Sequence, residues 1–376
     1  MELRPFQIAI AEEQLDDLKY RLRNTRWPDS EVVTDWTQGL PIAYARELSQ
    51  YWAEEYDWRS REKLLNQFPQ FKADVQGLEL HFIHAESKHE DAMPLILSHG
   101  WPGSIVEFQK VIAPLVDPTA HGGKAEDAFH VVCPSLPGYG FSGKPKTTGW
   151  NVERIADVFN ELMLGLGYTR YCAQGGDWGS AITTAIGGRH SETCCAIHLN
   201  MVMRGKRPKH REPTEEELKA LEAADYYRDW DSGYSIQQAT RPQTLGYGLS
   251  DSPVGQMAWI VEKFWAWTDN NGSPEDAISR DEMLDNVMLY WCNATAASSA
   301  RLYWESFRSG RPAVVEIPTG IAKFPAEIIP PVRAWSESIY PNIQQWTEMP
   351  SGGHFAAFEQ PELFIADLRS FFAKVR

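Results

Sequence analysis

The sequence has no apolar run approaching the roughly 18–20 residues needed to cross a bilayer, so no membrane span is expected. Basic side chains are in the minority, 36 lysines and arginines against 51 aspartates and glutamates, a net charge of −15. That balance disfavours phosphate backbones and anionic membrane surfaces, so neither nucleic acid nor membrane is an expected partner. Cysteine is scarce: Cys133, Cys172, Cys194, Cys195 and Cys292 form an odd set without a Cys-x-x-Cys pair. A zinc site would need ligand pairs at short spacing, so no metal is expected, and the thiols read as buried and reduced in a cytoplasmic protein. The segment 1–14 lacks the basic-then-apolar pattern of a secretion signal. Repeats and low-complexity tracts are also missing.

What is present is enough apolar residue, 43%, for a large core, with 23% charged. Residues 1–90 are rich in tryptophan and charge, with Leu15, Leu18 and Leu22 on one helical face and Trp27-Pro28 expected to end that helix. They read as an arm wrapping the core. From residue 78 short apolar strands alternate with helices. Leu78, Leu80 and Phe82 alternate, 94–98 and 130–133 are apolar runs, Asn151 can cap a helix with a stripe at Ile155, Phe159, Leu162 and Leu166, and 171–174 and 194–199 are further strands. Such alternation predicts a mostly parallel sheet with helices on both faces. It stops near Asn200, and strand signals return at 313–317 and 343–347 before a closing helix over 360–374. The intervening 201–310 is too long for a loop and predicts a helical lid over the carboxyl ends of the strands, where such sheets bind ligands. The expected organisation is an arm (1–90), a core (91–200 and 311–376) and a lid (201–310).

Gly175-Gly176-Asp177-Trp178-Gly179 has the G-x-S-x-G spacing of the nucleophile elbow of the α/β-hydrolase fold, at an expected strand-to-helix turn, with Asp in place of Ser. A glycine-flanked Asp could also simply cap the next helix; the elbow spacing favours the nucleophile. A carboxylate is ionised at neutral pH and can displace a leaving group from saturated carbon. The resulting ester has a carbonyl that activated water can attack. An epoxide or an alkyl halide has the required electrophilicity. His99-Gly100-Trp101-Pro102-Gly103 follows an apolar strand where the fold places one oxyanion N–H, the other coming from the residue after the nucleophile; the backbone amides of Trp101 and Trp178 are the candidates.

The fold's order of nucleophile, acid, histidine puts the histidine late, in Gly352-Gly353-His354-Phe355. Of the ten histidines, His81, His84, His130 and His198 lie in strand-like runs and read as packing residues. His89, His121, His190 and His210 have polar surroundings, and His99 shapes its own loop. His354 is the candidate base for the water that cleaves the ester. Glu327, in Phe324-Pro325-Ala326-Glu327-Ile328, is the candidate to orient the imidazole, although spacing alone equally allows an ordinary first-turn helix glutamate.

Together these residues resemble the microsomal-type epoxide hydrolases of the α/β-hydrolase superfamily. The likeness runs through Arg4-Pro5-Phe6, Arg21-Leu22, Thr25-Arg26-Trp27-Pro28, the stretch 134–142 (PSLPGYGFS), Gly175–Ser180, Thr240-Arg241-Pro242, 251–255 (DSPVG) and 352–358. It implies two lid tyrosines that bind and protonate the epoxide oxygen, corresponding to Tyr234 in Gly233-Tyr234 and to Tyr303 in 301–304 (RLYW). Pattern alone does not choose them from Tyr226, Tyr227, Tyr234, Tyr247, Tyr290 and Tyr303. The membrane-bound members carry an anchor before the arm, so a member without one is expected. The implied reaction converts an epoxide and water to a vicinal diol, with no metal or organic cofactor. The expected partner is a small apolar epoxide, and a homodimer is open as an assembly. Two other readings share the residues. A haloalkane dehalogenase would use the same Asp and His without needing a proton donor, and a hydrolase-fold receptor would bind a small ligand without turning it over.

Overall fold

The computed structural model describes residues 1–208, 211–308 and 313–376, so His210 lies outside the described residues. A nine-stranded sheet has the order β1-β2-β3-β5-β4-β6-β7-β8-β9. β1 (Arg4–Phe6), β2 (Gln70–Val75) and β3 (Leu78–Ala85) form an antiparallel edge that joins antiparallel to β5 (Phe129–Pro134). β4 (Met93–Ser98), β6 (Tyr171–Gly175), β7 (Cys194–Leu199), β8 (Thr319–Lys323) and β9 (Ile343–Glu348) continue it in parallel with β5. Helices cover the sheet as the apolar periodicity requires. In Val152–Gly165 the stripe Ile155, Phe159 and Leu162 is buried, and Asn151 caps the start by accepting from the Arg154 amide at 3.1 Å. This is the α/β-hydrolase architecture, with every parallel strand ending on the same edge.

Three expectations are corrected. The run 313–317 is irregular chain, and the strand lies at Thr319–Lys323. Pro318 has no N–H for a ladder at that junction, and Val315 instead bonds to the Ile339 carbonyl at 2.8 Å and packs on the helix behind β6. The first helix, Glu12–Arg23, buries Leu15, Leu18 and Leu22 as expected, but it ends before Trp27-Pro28. Asn24 stops it, and the Thr25 hydroxyl bonds the Leu22 carbonyl at 2.9 Å. The N-terminal region, expected only as an arm wrapping the core, also contributes β1 and β2 to the sheet.

Between β7 and β8 the described chain is helical from Glu215 to Ser306. The N-terminal region is tied to these helices by polar side chains. Tyr51 donates to Asp281 at 2.8 Å, and Tyr56 donates to Asp285 at 2.7 Å. Arg61 Nε meets Asp285 Oδ2 at 2.9 Å, so the buried carboxylate is paired. No helix among the described residues is long and apolar enough to cross a membrane.

Candidate active site

β6 ends at Gly175, and the chain turns straight into the helix Asp177–Arg189. Asp177 sits at the turn with φ of 48°, the left-handed region that costs a non-glycine residue strain. Such an elbow needs close backbone approach. A methyl group on Gly179 would lie 1.9 Å from the Ser98 carbonyl oxygen, so only glycine lets the helix start abut β4. The bend lifts the carboxylate off the sheet edge and toward the loop after β4. There the Trp101 amide donates to Asp177 Oδ1 at 2.7 Å. A side chain on Gly100 would meet that same oxygen at 2.1 Å, which explains the glycine before Trp101. Trp178 lies in the first turn of the helix, where amides have no carbonyl of their own helix to bond. His99 is buried and shapes the loop, with Nδ1 2.9 Å from the Gly100 carbonyl and Nε2 accepting from the Leu136 amide at 3.2 Å.

The loop after β9 brings His354 over this carboxylate. Its Nε2 is 3.4 Å from Asp177 Oδ2, and its Nδ1 is 2.7 Å from Glu327 Oε1. Glu327 comes from the loop after β8, and an isolated bridge between Ala326 and Gly353 holds the two loops together. The His354 amide donates to the Trp267 carbonyl at 2.9 Å, and the Trp267 ring lies edge-on at 5.3 Å. Burial alone would lower the imidazole pKa, but the Glu327 carboxylate and then Asp177 hold it well above its ordinary value.

Tyr234 and Tyr303 face the same cleft as Asp177. Both are buried, and burial first, with Asp177 adding, pushes both phenols well above their usual range, so they are protonated donors at neutral pH. Tyr234 stacks on Trp101 at 4.9 Å and shares a 3.1 Å hydroxyl contact with Tyr227. The Tyr303 hydroxyl is buried without a well-formed hydrogen bond, with the Trp178 side chain as a weak polar neighbour. The cleft holds about 280 Å³ and is walled by apolar groups such as Met201, Phe307, Ile328, Val332 and Trp335. Of the residues singled out from sequence, Asp177, Trp178, Tyr234, Tyr303 and Glu327 line this cleft, while Trp101 and His354 meet Asp177 from a separate small cavity.

Three residues at the site had not been singled out. Glu107 shares a small cavity with Asp177, His354, Gln174 and Asn200, about 10 Å³, which is room for one water. Burial, reinforced by Asp177 and opposed by His354, pushes the Glu107 carboxyl up to about 8. The available signal was an acid inside the apolar run 105–108 directly after the HGWPG loop. Tyr227 is held against Tyr234, and Lys263 lies 4.8 Å from the Tyr234 ring centre. Neither carries a sequence signal. Among the described residues no cluster of His, Cys, Asp and Glu is arranged to hold a metal ion.

The family described as "Epoxide hydrolase N terminus" matches residues 3–108, and "alpha/beta hydrolase fold" matches 93–328. A Stigmatella aurantiaca relative provisionally named an epoxide hydrolase is 52% identical over 100% of this chain and 86% of its own. Epoxide hydrolase 1 of Sus scrofa is 37% identical over 98% of this chain and 88% of its own. Among solved structures, the juvenile hormone epoxide hydrolase of Bombyx mori superposes with a TM-score of 0.91 at 31% identity, covering 100% of this chain and 95% of that one. The Aspergillus niger epoxide hydrolase gives 0.90 at 33%, covering 100% and 97%.

Proposed function

This chain belongs to the epoxide hydrolase family of the α/β-hydrolase fold, and from that premise we propose that it converts a small apolar epoxide to a vicinal diol through an ester on Asp177. The observation that carries the reading is the placement of one carboxylate between two kinds of partner. Asp177 has the buried imidazole of His354 3.4 Å away and the buried phenols of Tyr234 and Tyr303 across the cleft.

In the first step the two tyrosines hold the epoxide oxygen by hydrogen bonds. Asp177 Oδ2 attacks one ring carbon and the carbon–oxygen bond opens. A phenol proton passes to the departing oxygen, leaving a hydroxyalkyl ester. Oδ1, already bonded to the Trp101 amide, becomes the ester carbonyl oxygen. In the second step His354 takes a proton from water, and the resulting hydroxide adds to the ester carbonyl carbon. The amides of Trp101 and Trp178 hold the oxyanion, and Glu327 stabilises the imidazolium. Collapse releases the diol and restores the carboxylate, and the proton held by the imidazolium returns to the phenolate, which restores both groups. The small cavity beside His354 is where that water waits, with Glu107 on its wall. The helices from Glu215 to Ser306 act as a lid that supplies the tyrosines and excludes bulk water.

A single turnover in water labelled with heavy oxygen tests this. The diol from the first turnover should carry an unlabelled new oxygen drawn from Asp177, and the Asp177 peptide should carry the label. A labelled diol with an unlabelled peptide would mean that water attacks the epoxide directly.

A further inference from the structure

At the end of β6 opposite Asp177, three sulfur atoms converge. Cys172 Sγ lies 3.1 Å from Cys195 Sγ and 3.2 Å from Met93 Sδ. The three residues belong to the neighbouring parallel strands β4, β6 and β7. The pairing of β6 with β7 is irregular here: Tyr171 faces Cys194 and Cys172 faces Ala196. Cys195 is therefore the extra residue of a bulge, freed from the ladder, and its sulfur is turned onto that of Cys172. Two unbonded sulfurs at this separation are closer than ordinary packing, and Met93 holds Cys172 from the other side.

The two thiols differ in access. Cys172 is buried and Cys195 is partly exposed. The thiol–thiol contact with Cys172 lowers the pKa of Cys195; burial opposes this, and the Arg170 side chain adds to it. Cys172 itself is pushed up by burial. One sulfur is thus an accessible nucleophile and the other a resolving thiol already in contact, the arrangement that redox-sensitive pairs use. Nothing in the epoxide chemistry draws on either.

We propose that Cys172 and Cys195 form a peroxide-oxidisable thiol pair. The Cys195 thiolate attacks one oxygen of hydrogen peroxide, breaks the oxygen–oxygen bond and becomes a sulfenic acid, with hydroxide leaving. Cys172 then attacks the Cys195 sulfur, expels the sulfenic oxygen as hydroxide and gives up its proton. Two thiols and one peroxide yield one disulfide and two waters, with two electrons passing from sulfur to oxygen. The sulfurs must close from 3.1 Å to a bond of about 2.05 Å, a movement of roughly 1 Å that a bulged strand can make.

The test uses the intact folded chain treated with a small excess of hydrogen peroxide, then denatured for thiol counting and peptide mapping without reductant. Free thiols should fall from five to three, with the peptides of Cys172 and Cys195 linked within one chain and dithiothreitol restoring all five. In Cys172→Ser, Cys195 should stop at the sulfenic acid and be trapped by dimedone. In Cys195→Ser, peroxide should remove no thiol. Retention of all five thiols in the wild type, or linkage through Cys133, Cys194 or Cys292, overturns the proposal. So does equal peroxide reactivity of Cys195 and Cys292, the other partly exposed thiol. The readout is independent of epoxide turnover, so failure here leaves the hydrolase reading untouched.

Discussion

The Trp101 amide holds Asp177 Oδ1 at 2.7 Å, so the donor that would later stabilise an oxyanion already grips the carboxylate before any substrate arrives. That division of labour between the two oxygens gives separable predictions. Asp177→Ala removes the attacking group and should lower turnover by about 10⁴-fold or more. His354→Gln leaves attack possible and removes only the base for water. Single-turnover mass spectrometry of His354→Gln should show the protein heavier by one substrate molecule, followed by slow release. Rapid diol formation without that adduct would contradict the ester route.

The pH behaviour follows from the charges around His354. Burial lowers its pKa, but Glu327 and Asp177 together raise it well above the ordinary value. Esterification neutralises Asp177, so part of the upward push vanishes when a base is needed. His354 therefore holds a proton more tightly in the free enzyme than in the intermediate, where it is freed to act as the base. Proton NMR should give a lower His354 titration midpoint in Asp177→Asn than in the wild type. Stability carries the matching sign. A raised folded-state pKa contributes stability that is full below the unfolded value of about 6.5 and is lost as pH rises through the folded value. The wild type should accordingly lose more melting temperature on alkalinisation than His354→Gln does; equal losses would show that the imidazole is not held charged.

How much of this was legible beforehand depended on distance along the chain. β3 to β7 and the elbow at Asp177 announce themselves because strand periodicity, glycine placement and capping act within a few residues. β1 and β2 escape because their stability is tertiary: Arg4 pairs with Lys72, and neither strand is apolar enough to be seen alone. The confusion of 313–317 with 319–323 has a similar cause. Val314, Val315 and Ile317 have the higher strand propensity, yet the sheet takes Thr319–Lys323, whose Gly320 leaves room for the Phe371 ring. Tyr234 and Tyr303 needed the family resemblance, since nothing local separates them from the other lid tyrosines. Glu107 and Lys263 matter only through neighbours that the fold supplies.

The tyrosine pair distinguishes epoxide opening from halide displacement. The Tyr303 hydroxyl is buried with little to bond, whereas Tyr234 is supported by Tyr227. Replacing either with Phe should slow ester formation by about 10²-fold, the size of one proton-transfer contribution, and replacing both should nearly abolish it. Rapid-quench measurement of the ester on Asp177 reports this step directly. A haloalkane attacked equally fast by the double variant and the wild type would confirm that the hydroxyls serve the epoxide oxygen. An unchanged epoxide rate in the double variant would remove both from the mechanism.

Behind Tyr234 lies a buried lysine paired with two partly buried carboxylates, and its removal should be costly in a diagnostic way. Lys263 is 5% exposed, and its Nζ is 2.6 Å from Asp231 Oδ1 and 2.8 Å from Glu262 Oε2. Asp231 Oδ2 accepts from Trp267 Nε1 at 2.6 Å, and Trp267 in turn supports the His354 loop. Burial lowers the Lys263 pKa, but Glu262 and Asp231 outweigh it, so the ammonium is retained. Lys263→Met keeps the bulk but strands Asp231 without its cation, at a cost of about 3–5 kcal/mol; chemical denaturation should read that loss. Glu262, already pushed up by burial, can take a proton and contributes less. Adding Asp231→Leu should then recover most of the lost stability, because the orphaned carboxylate is gone. Failure to recover it would locate the cost in the lysine's packing against Tyr234 and Trp267 instead. The recovered double variant should still form the ester more slowly than the wild type, since Trp267 has lost its acceptor and Tyr234 the ammonium at its ring.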